Sequence, residues 1–510
     1  MATSTTHPQA HAGFSRLSWK TLAVVLPFLL LYWADMWHHT MFFDEVNAWA
    51  ISAWSPTLSK LFYYVHFEGH PWLWYFLLWF PSRLTHDPVA MKWVEVVFGT
   101  ANILIIGFLS PFTYKQRALI LCSYFLVWEY TVMCRMYSVM LLLVLLYAVR
   151  RFRNPQGITI SCFLLGLAGN TDMSGMMLGG ALLIEYLYST CVAVPAQQRT
   201  AAVKRWVPGL VVYLALTALS VATLWPSKQI SWQSSGRIGS LALNRHHIDA
   251  AIGNMIAATW WPISPQFPHR FWETSVVDAH WLYLLVPLVL FVYIWEFRRD
   301  RNLLLLMACT LVFGIVFADV VYVGRVRHWG ISWIAFLFGL WMLSVRERDP
   351  KRRSWSPWVY ALMGLSAFAG VCAIAGSWKH SFSHAREAAN WIRHNEPADV
   401  AVTGMPDVSF ASLAEELQQP AYYPECECIL PFKMFSNNMQ DYDESDYPRA
   451  LSGAMRALGT DSLVFSEFLP LQPKDIQRIE AAGMSVTPIA SFPYADMVSE
   501  SFFLYEIRKK

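Results

Sequence analysis

The sequence predicts an α-helical polytopic membrane protein of about eleven spans with a C-terminal α/β domain. Three observations predict it. Of 510 residues, 55% are hydrophobic and 15% charged, with 25 tryptophans, whereas a soluble domain carries about 25% charged residues. Apolar runs recur along the first 376 residues, and basic clusters occupy every second loop between them. Beyond residue 376 the pattern changes to short helices alternating with short β-branched runs. The net charge of +3 singles out no acidic partner, and no nucleic-acid partner is expected.

Residues 1–20 form a polar tail ending in Arg16 and Lys20. The following "TLAVVLPFLLLYWADMW" has no small-residue cleavage site, so it reads as an uncleaved first span. Further apolar runs lie near 89–110, 118–133, 136–149, 157–169, 173–192, 207–225, 281–296, 302–322, 331–345 and 355–376. Several are shorter than the roughly twenty residues of a perpendicular span. The clusters "TYKQR", "RRFR", "QQRTAAVKR", "EFRRDR" and "RERDPKRR" share one side with the N-terminal tail. This is the positive-inside pattern, which puts the N-terminus in the cytoplasm and the C-terminus outside. Counting "HPWLWYFLLWF" (70–80) as a span would break that alternation. It is therefore expected to lie in the outer interface or to re-enter from it. The membrane module, 21–376, then carries a large outer loop at 39–88 and a second at 226–280.

In the tail, 377–510, "HSFSHAREAANWIRHNEPADVAVTGM", "ALSGAMRALGTDSLVFSEF" and "KDIQRIEAAGMSVTPIASF" each read as helix then strand, and "ESFFLYEIR" as a final strand. An extracytoplasmic α/β domain follows, with no Gly-rich phosphate loop. Six of the eight cysteines fall in apolar runs and are expected to pack there. "ECEC" (Cys426, Cys428) lies in a polar stretch without the second ligand pair of a zinc site.

The residues that hydropathy does not explain collect on the outer side. "MFFDEVNAW" sets Asp44 and Glu45 just past the first span, and "YYVHFEGHPWLW" returns Glu68 and His70 to the same loop. Two acids and a histidine in a partly desolvated loop are a common source of a base with a tuned pKa. "EYTVMCRMYS" supplies Glu129, Arg135 and Tyr137, "AGNTDMSG" supplies Asn170 and Asp172, and the 226–280 loop supplies Lys228. Arg135 has ordinary roles open to it, pairing with Glu129 or snorkelling to headgroups. "GRVRHWG" places Arg325, Arg327 and His328 on the side where the positive-inside rule disfavours cations. An anion justifies them, and arginine's planar fork fits the phosphate of a membrane lipid. Acids that can deprotonate a hydroxyl beside cations that can hold a lipid phosphate are what glycosyl transfer from a lipid-phosphate sugar requires. The aromatic stretch "TWWPISPQFPHRFW" suits sugar stacking and an interfacial belt equally.

An acidic pair after the first span, a loop returning through "EGHP", "YTVMCRMYSVMLL" and "VRHWG" resemble the GT-C superfamily of membrane glycosyltransferases. The likeness covers roughly residues 20–345 and is to a bacterial branch related to protein O-mannosyltransferases and the lipid A aminoarabinose transferase. It implies a GT-C catalytic module in a bacterial inner membrane, with an inverting transfer of one hexosyl or pentosyl unit from a polyprenyl-phosphate donor. The acceptor would be a glycan, lipid or protein. Asp44 would be the base, supported by Glu45. Glu68, His70, Glu129, Tyr137, Asn170 and Asp172 would bind donor or acceptor sugar. Arg135, Lys228, Arg325, Arg327 and His328 would hold the lipid phosphate. No essential metal is expected, the alternative being a divalent ion on Asp44, Glu45 and Glu68. A "WWD" motif is absent, which favours a single-sugar donor over a preassembled oligosaccharide. The competing class is a transporter of a lipid-linked or anionic substrate, whose charges would gather near the midplane within inverted repeats. Here they gather at outer helix ends and no repeat is visible.

Overall fold

The computed structural model describes residues 18–155, 157–225, 244–272, 274–347, 354–436, 439–440 and 442–510. Among these, eight helices are long and apolar enough to cross a membrane. They are Trp19–His38 (α1), Ala90–Leu109, Met173–Val192, Ala196–Leu224, His280–Phe297, Arg301–Val320, Val326–Arg346 and Pro357–Lys379. Each coincides with an apolar run of the sequence. The other three runs fold shorter. The 118–133 run breaks at Ser123, whose extended backbone separates Tyr114–Cys122 from a single π-helical turn, Phe125–Glu129. Tyr137–Arg153 spans 17 residues and Ile158–Ala168 only 11.

Small residues let the helices approach closely. A β-carbon on Gly99 would fall 2.2 Å from the hydroxyl of Tyr32, which crosses from α1 to donate to Glu95 O at 2.9 Å. The segment that follows α1 is itself folded. It holds α2 (Phe43–Ala53), α3 (Leu58–Val65) and α4 (Leu73–Trp79). Glu45 reaches back to accept the Phe42 N–H at 3.0 Å, one half of a capping box. At the other end of α2, Arg83 Nη2 donates to Ser52 O and Ala53 O, both at 2.7 Å, satisfying terminal carbonyls. The "HPWLWYFLLWF" run yields only the seven residues of α4, packed on α2 through Ser52 Oγ to Tyr75 O (3.1 Å).

The C-terminal domain is a six-stranded mixed sheet in the order β3-β2-β1-β4-β6-β5. The strands are β1 (Val402–Met405), β2 (Ala421–Tyr423), β3 (Cys428–Leu430), β4 (Ser462–Glu467), β5 (Met484–Phe492) and β6 (Phe502–Lys509). β1 runs parallel to β2 and β4, and the remaining pairs are antiparallel. Helices Ala385–Asn395 and Asp407–Leu417 cover one face, Tyr447–Leu458 and Pro473–Ala481 the other. The period of two explains the split, because Val464 enters the first core while Leu463 and Phe465 enter the second. Cys426 and Cys428 form a disulfide with each other and so are no metal ligands.

Candidate active site at the first outer loop

Asp44 is the second residue of α2, and its side chain remains 26% exposed. Arg327 Nη2 lies 3.1 Å from Asp44 Oδ2, and Arg135 Nη1 lies 3.7 Å from the same oxygen. Arg135 Nη1 also donates to the Asp44 carbonyl, so one guanidinium grips both backbone and carboxylate. Burial by itself would raise the Asp44 pKa. Arg135 and Arg327 outweigh it and hold the carboxyl below its ordinary value.

The network continues through His70. Arg135 Nη2 lies 3.1 Å from His70 Nε2, and His70 Nδ1 lies 3.2 Å from Asp172 Oδ2. Arginine only donates, so Nε2 accepts and the proton sits on Nδ1, pointing at Asp172. Asp172 caps the helix starting at Met173, its Oδ1 taking the Ser174 N–H at 2.8 Å. Burial opposes its charge, yet the His70 bond holds its carboxyl well below the usual range. Thus the "EGHP" loop, "AGNTDMSG", "MCRMYS" and "GRVRHWG" converge on Asp44.

Glu68 lies beside this network with different electrostatics. Asn47 Nδ2 donates to Oε2 at 3.1 Å, while Oε1 is buried without a hydrogen-bond partner. Burial raises Glu68 to about 8, with Arg135 pulling down and Asp44 pushing up. Two neighbouring carboxyls with pKa values driven apart are the arrangement that lets one site hold both a charged and a neutral acid. Asn47 stands three residues after Asp44 in "DEVN", so the helical period brings it to the same face.

Glu45 turns away from Asp44. His39 Nε2 lies 2.9 and 3.1 Å from its oxygens, and the Phe42 and Cys134 N–H groups donate to it at 3.0 and 2.5 Å. With its side chain fully buried, Glu45 pins the segment that carries Arg135. The alternative metal set of Asp44, Glu45 and Glu68 does not come together, since the Glu45 oxygens are taken by His39 and two amides. Among the described residues no group of three or more His, Cys, Asp or Glu could hold a metal ion.

The remaining expected residues divide. Glu129 Oε2 accepts Tyr124 OH (2.7 Å) and Trp272 Nε1 (2.9 Å), and the Trp272 ring lies 5.2 Å under the Arg327 guanidinium. Glu129 thus meets Trp272, whose ring lies against the Arg327 guanidinium. Tyr137 stacks on Tyr130 at 5.1 Å, with its hydroxyl buried and unpartnered, and His328 meets its ring edge-on at 6.4 Å. Tyr130 OH donates to Arg327 O at 2.6 Å. Asn170 is consumed by structure, accepting Trp72 Nε1 at 2.7 Å and donating to Gly166 O and Leu216 O. Arg325 lies apart at 49% exposed, its Nη1 3.9 Å from Asp278, while its N–H donates to His328 Nδ1 at 3.0 Å. Lys228 lies outside the described residues. Trp272, which the sequence showed only as part of an aromatic stretch, is the functional neighbour least visible beforehand.

Comparison of the chain with protein-family models, with curated proteins and with solved structures finds no match.

Proposed function

We propose that this chain is an inverting glycosyltransferase of GT-C type that moves one sugar from a polyprenyl-phosphate donor to an acceptor at the outer membrane face. One observation carries the reading. A partly exposed carboxylate, Asp44, sits between two arginines, with the neutral acid Glu68 alongside. The acceptor hydroxyl oxygen attacks the anomeric carbon and its proton passes to Asp44. The bond from that carbon to the phosphate oxygen breaks, and its electron pair leaves with the polyprenyl phosphate. Arg135 and Arg327 are close enough to share Asp44 with that phosphate and to stabilise its growing charge. His70 and Asp172 hold Arg135 in place. No metal enters this scheme.

The topology that goes with it has eleven crossings, a cytoplasmic N-terminus, and the site and C-terminal domain in the periplasm of an inner-membrane protein. A disulfide between Cys426 and Cys428 supports an oxidising compartment for that domain. The acceptor class is a glycan, lipid or protein carrying a free hydroxyl.

The test is a panel of polyprenyl-phosphate monosaccharides given to the purified full-length protein with envelope extracts as acceptor. Released polyprenyl phosphate and the glycosylated product are identified by mass spectrometry. Release that disappears in Asp44→Asn is expected. Release from no donor, or full turnover by Asp44→Asn, overturns the reading.

A further inference from the structure

The last membrane helix does not end in a free linker. Ser377 Oγ and Trp378 Nε1 both donate to Asp35 Oδ1 in α1, at 2.9 and 2.8 Å. Six residues on, the Ser383 N–H donates to Thr40 Oγ1 at 2.9 Å, just ahead of α2. The seam is then closed by Glu500. Its Oε2 accepts Ser383 Oγ at 2.8 Å, its carbonyl accepts the His384 N–H at 3.0 Å, and its Oε1 accepts the Phe43 N–H at 3.0 Å. Phe43 is the first residue of α2, where the helix leaves amides without internal partners. Its side chain belongs to the hydrophobic core of the C-terminal domain, packed with Phe410 and Phe502. Arg386 adds an ion pair to Asp87 at 3.2 Å, at the far end of the same loop.

Asp44 therefore stands between two fixed neighbours. Phe43 is held by the C-terminal domain, and Glu45 by His39 and Cys134. We propose that Glu500 is a positioning residue, and that through it the C-terminal domain is a working part of the site. It sets the first turn of α2 so that Asp44 meets Arg135 and Arg327. A displacement of about 1 Å at a catalytic group can cost on the order of a hundredfold in rate, so losing this contact is felt in the chemical step. Burial raises Glu500 to about 8, which leaves it a neutral acceptor at neutral pH. Glutamine reproduces both side-chain bonds, its oxygen taking the Phe43 amide and its NH2 facing Ser383 Oγ.

The functional arm of the test rests on the transfer reaction proposed above; the structural arm does not. Wild type, Glu500→Ala and Glu500→Gln are compared as full chains by deuterium exchange over residues 41–49 and by turnover on the active donor. In Glu500→Ala, exchange at the Phe43 amide is expected to rise at least about tenfold, and kcat to fall about 10- to 100-fold with donor KM changed less than about threefold. Glu500→Gln is expected to restore both. Ser383→Ala, which removes one bond and leaves the other, serves where Glu500→Ala does not fold, and gives a smaller change of the same sign. Unchanged exchange overturns the clamp. Raised exchange with wild-type kcat overturns the positioning role. A wild-type protein inactive on every donor overturns the transfer reading, while the exchange arm still decides whether Glu500 fixes α2.

Discussion

Two arginine–carboxylate clusters, one near each end of the helix Tyr137–Arg153, make an instructive pair. At the expected cytoplasmic end, Arg151 Nη2 meets both Glu185 oxygens at 3.2 Å and Ser189 Oγ at 2.7 Å, and its guanidinium lies 3.7 Å from the Tyr186 ring centroid. The Arg151 and Glu185 side chains are 8% and 0% exposed, one cation to one anion. At the outer end, Asp44 is shared by Arg135 and Arg327 and stays 26% exposed. The ingredients match, but their accessibility does not. A sealed one-to-one pair can only hold helices together. A carboxylate divided between two cations and open to solvent can give up part of its contacts to an incoming anion or hydroxyl. Openness and sharing, more than charge content, distinguish the two clusters.

Substitutions can break or sharpen that contrast, and the largest effect is expected at the open end. Asp44→Asn should reduce transfer by about a thousandfold or more while the chain still binds donor, as expected for loss of a base between intact cations. Residual turnover near wild type would erase the distinction. At the sealed end, Arg151→Ala leaves Glu185 buried and unpaired, which costs about 3–5 kcal/mol of stability. Thermal unfolding should show that loss, and the surviving folded fraction should keep its donor KM. Arg327→Ala should do the reverse, raising donor KM about 10- to 100-fold (about 1.4–2.7 kcal/mol) with little change in melting temperature.

A subtler contrast lies in pH. Glu68 is raised from 4.5 to about 8, so the folded chain binds more protons than the unfolded one between those values. Its contribution therefore falls as pH rises through that window. Asp44, held below its ordinary value, contributes stability that is lost only on acidification. Melting temperatures of Glu68→Gln and wild type should diverge in favour of the variant from about pH 5 to pH 8 and run parallel above it. The smallest effect belongs to Arg325→Ala. Its half-exposed pairing with Asp278 at 3.9 Å is worth at most about 1 kcal/mol, and donor KM should move far less than in Arg327→Ala.

The sequence made some of this legible and not the rest. Helical and strand periods are local, so the eight longest apolar helices, the helix–strand pairs ending in β1, β4 and β5 and the closing strand β6 could be read directly, whereas the helix Asp407–Leu417 and the short strands β2 and β3 were missed. The gathering of "DEVN", "EGHP", "CRMYS" and "RVRH" was also legible, because charge on the disfavoured side needs a reason. Which of two adjacent acids faces the site came only from the family resemblance, which makes Asp44 the base, and not from any local pattern. Asp44 and Glu45 differ only by their turn around α2, and the partners that fix Glu45, His39 and the Cys134 amide, lie on other elements. Asn170 resembled a ligand-binding residue because its bonds to Trp72 and Leu216 come from distant segments. Ser123, an ordinary residue in an apolar run, breaks a helix through a backbone conformation that no pattern of hydropathy encodes.

The bond from Phe43 to Glu500 joins residues 457 positions apart, and that separation has a consequence in time. At about 5–20 residues per second of synthesis, Glu500 emerges roughly 23–90 s after the start of α2. Throughout that interval the Phe43 amide lacks its Glu500 acceptor, although Arg135 and Arg327 reach Asp44 sooner. On the positioning role proposed for Glu500, the first turn of α2 is thus completed last, and a chain interrupted before residue 500 lacks that clamp.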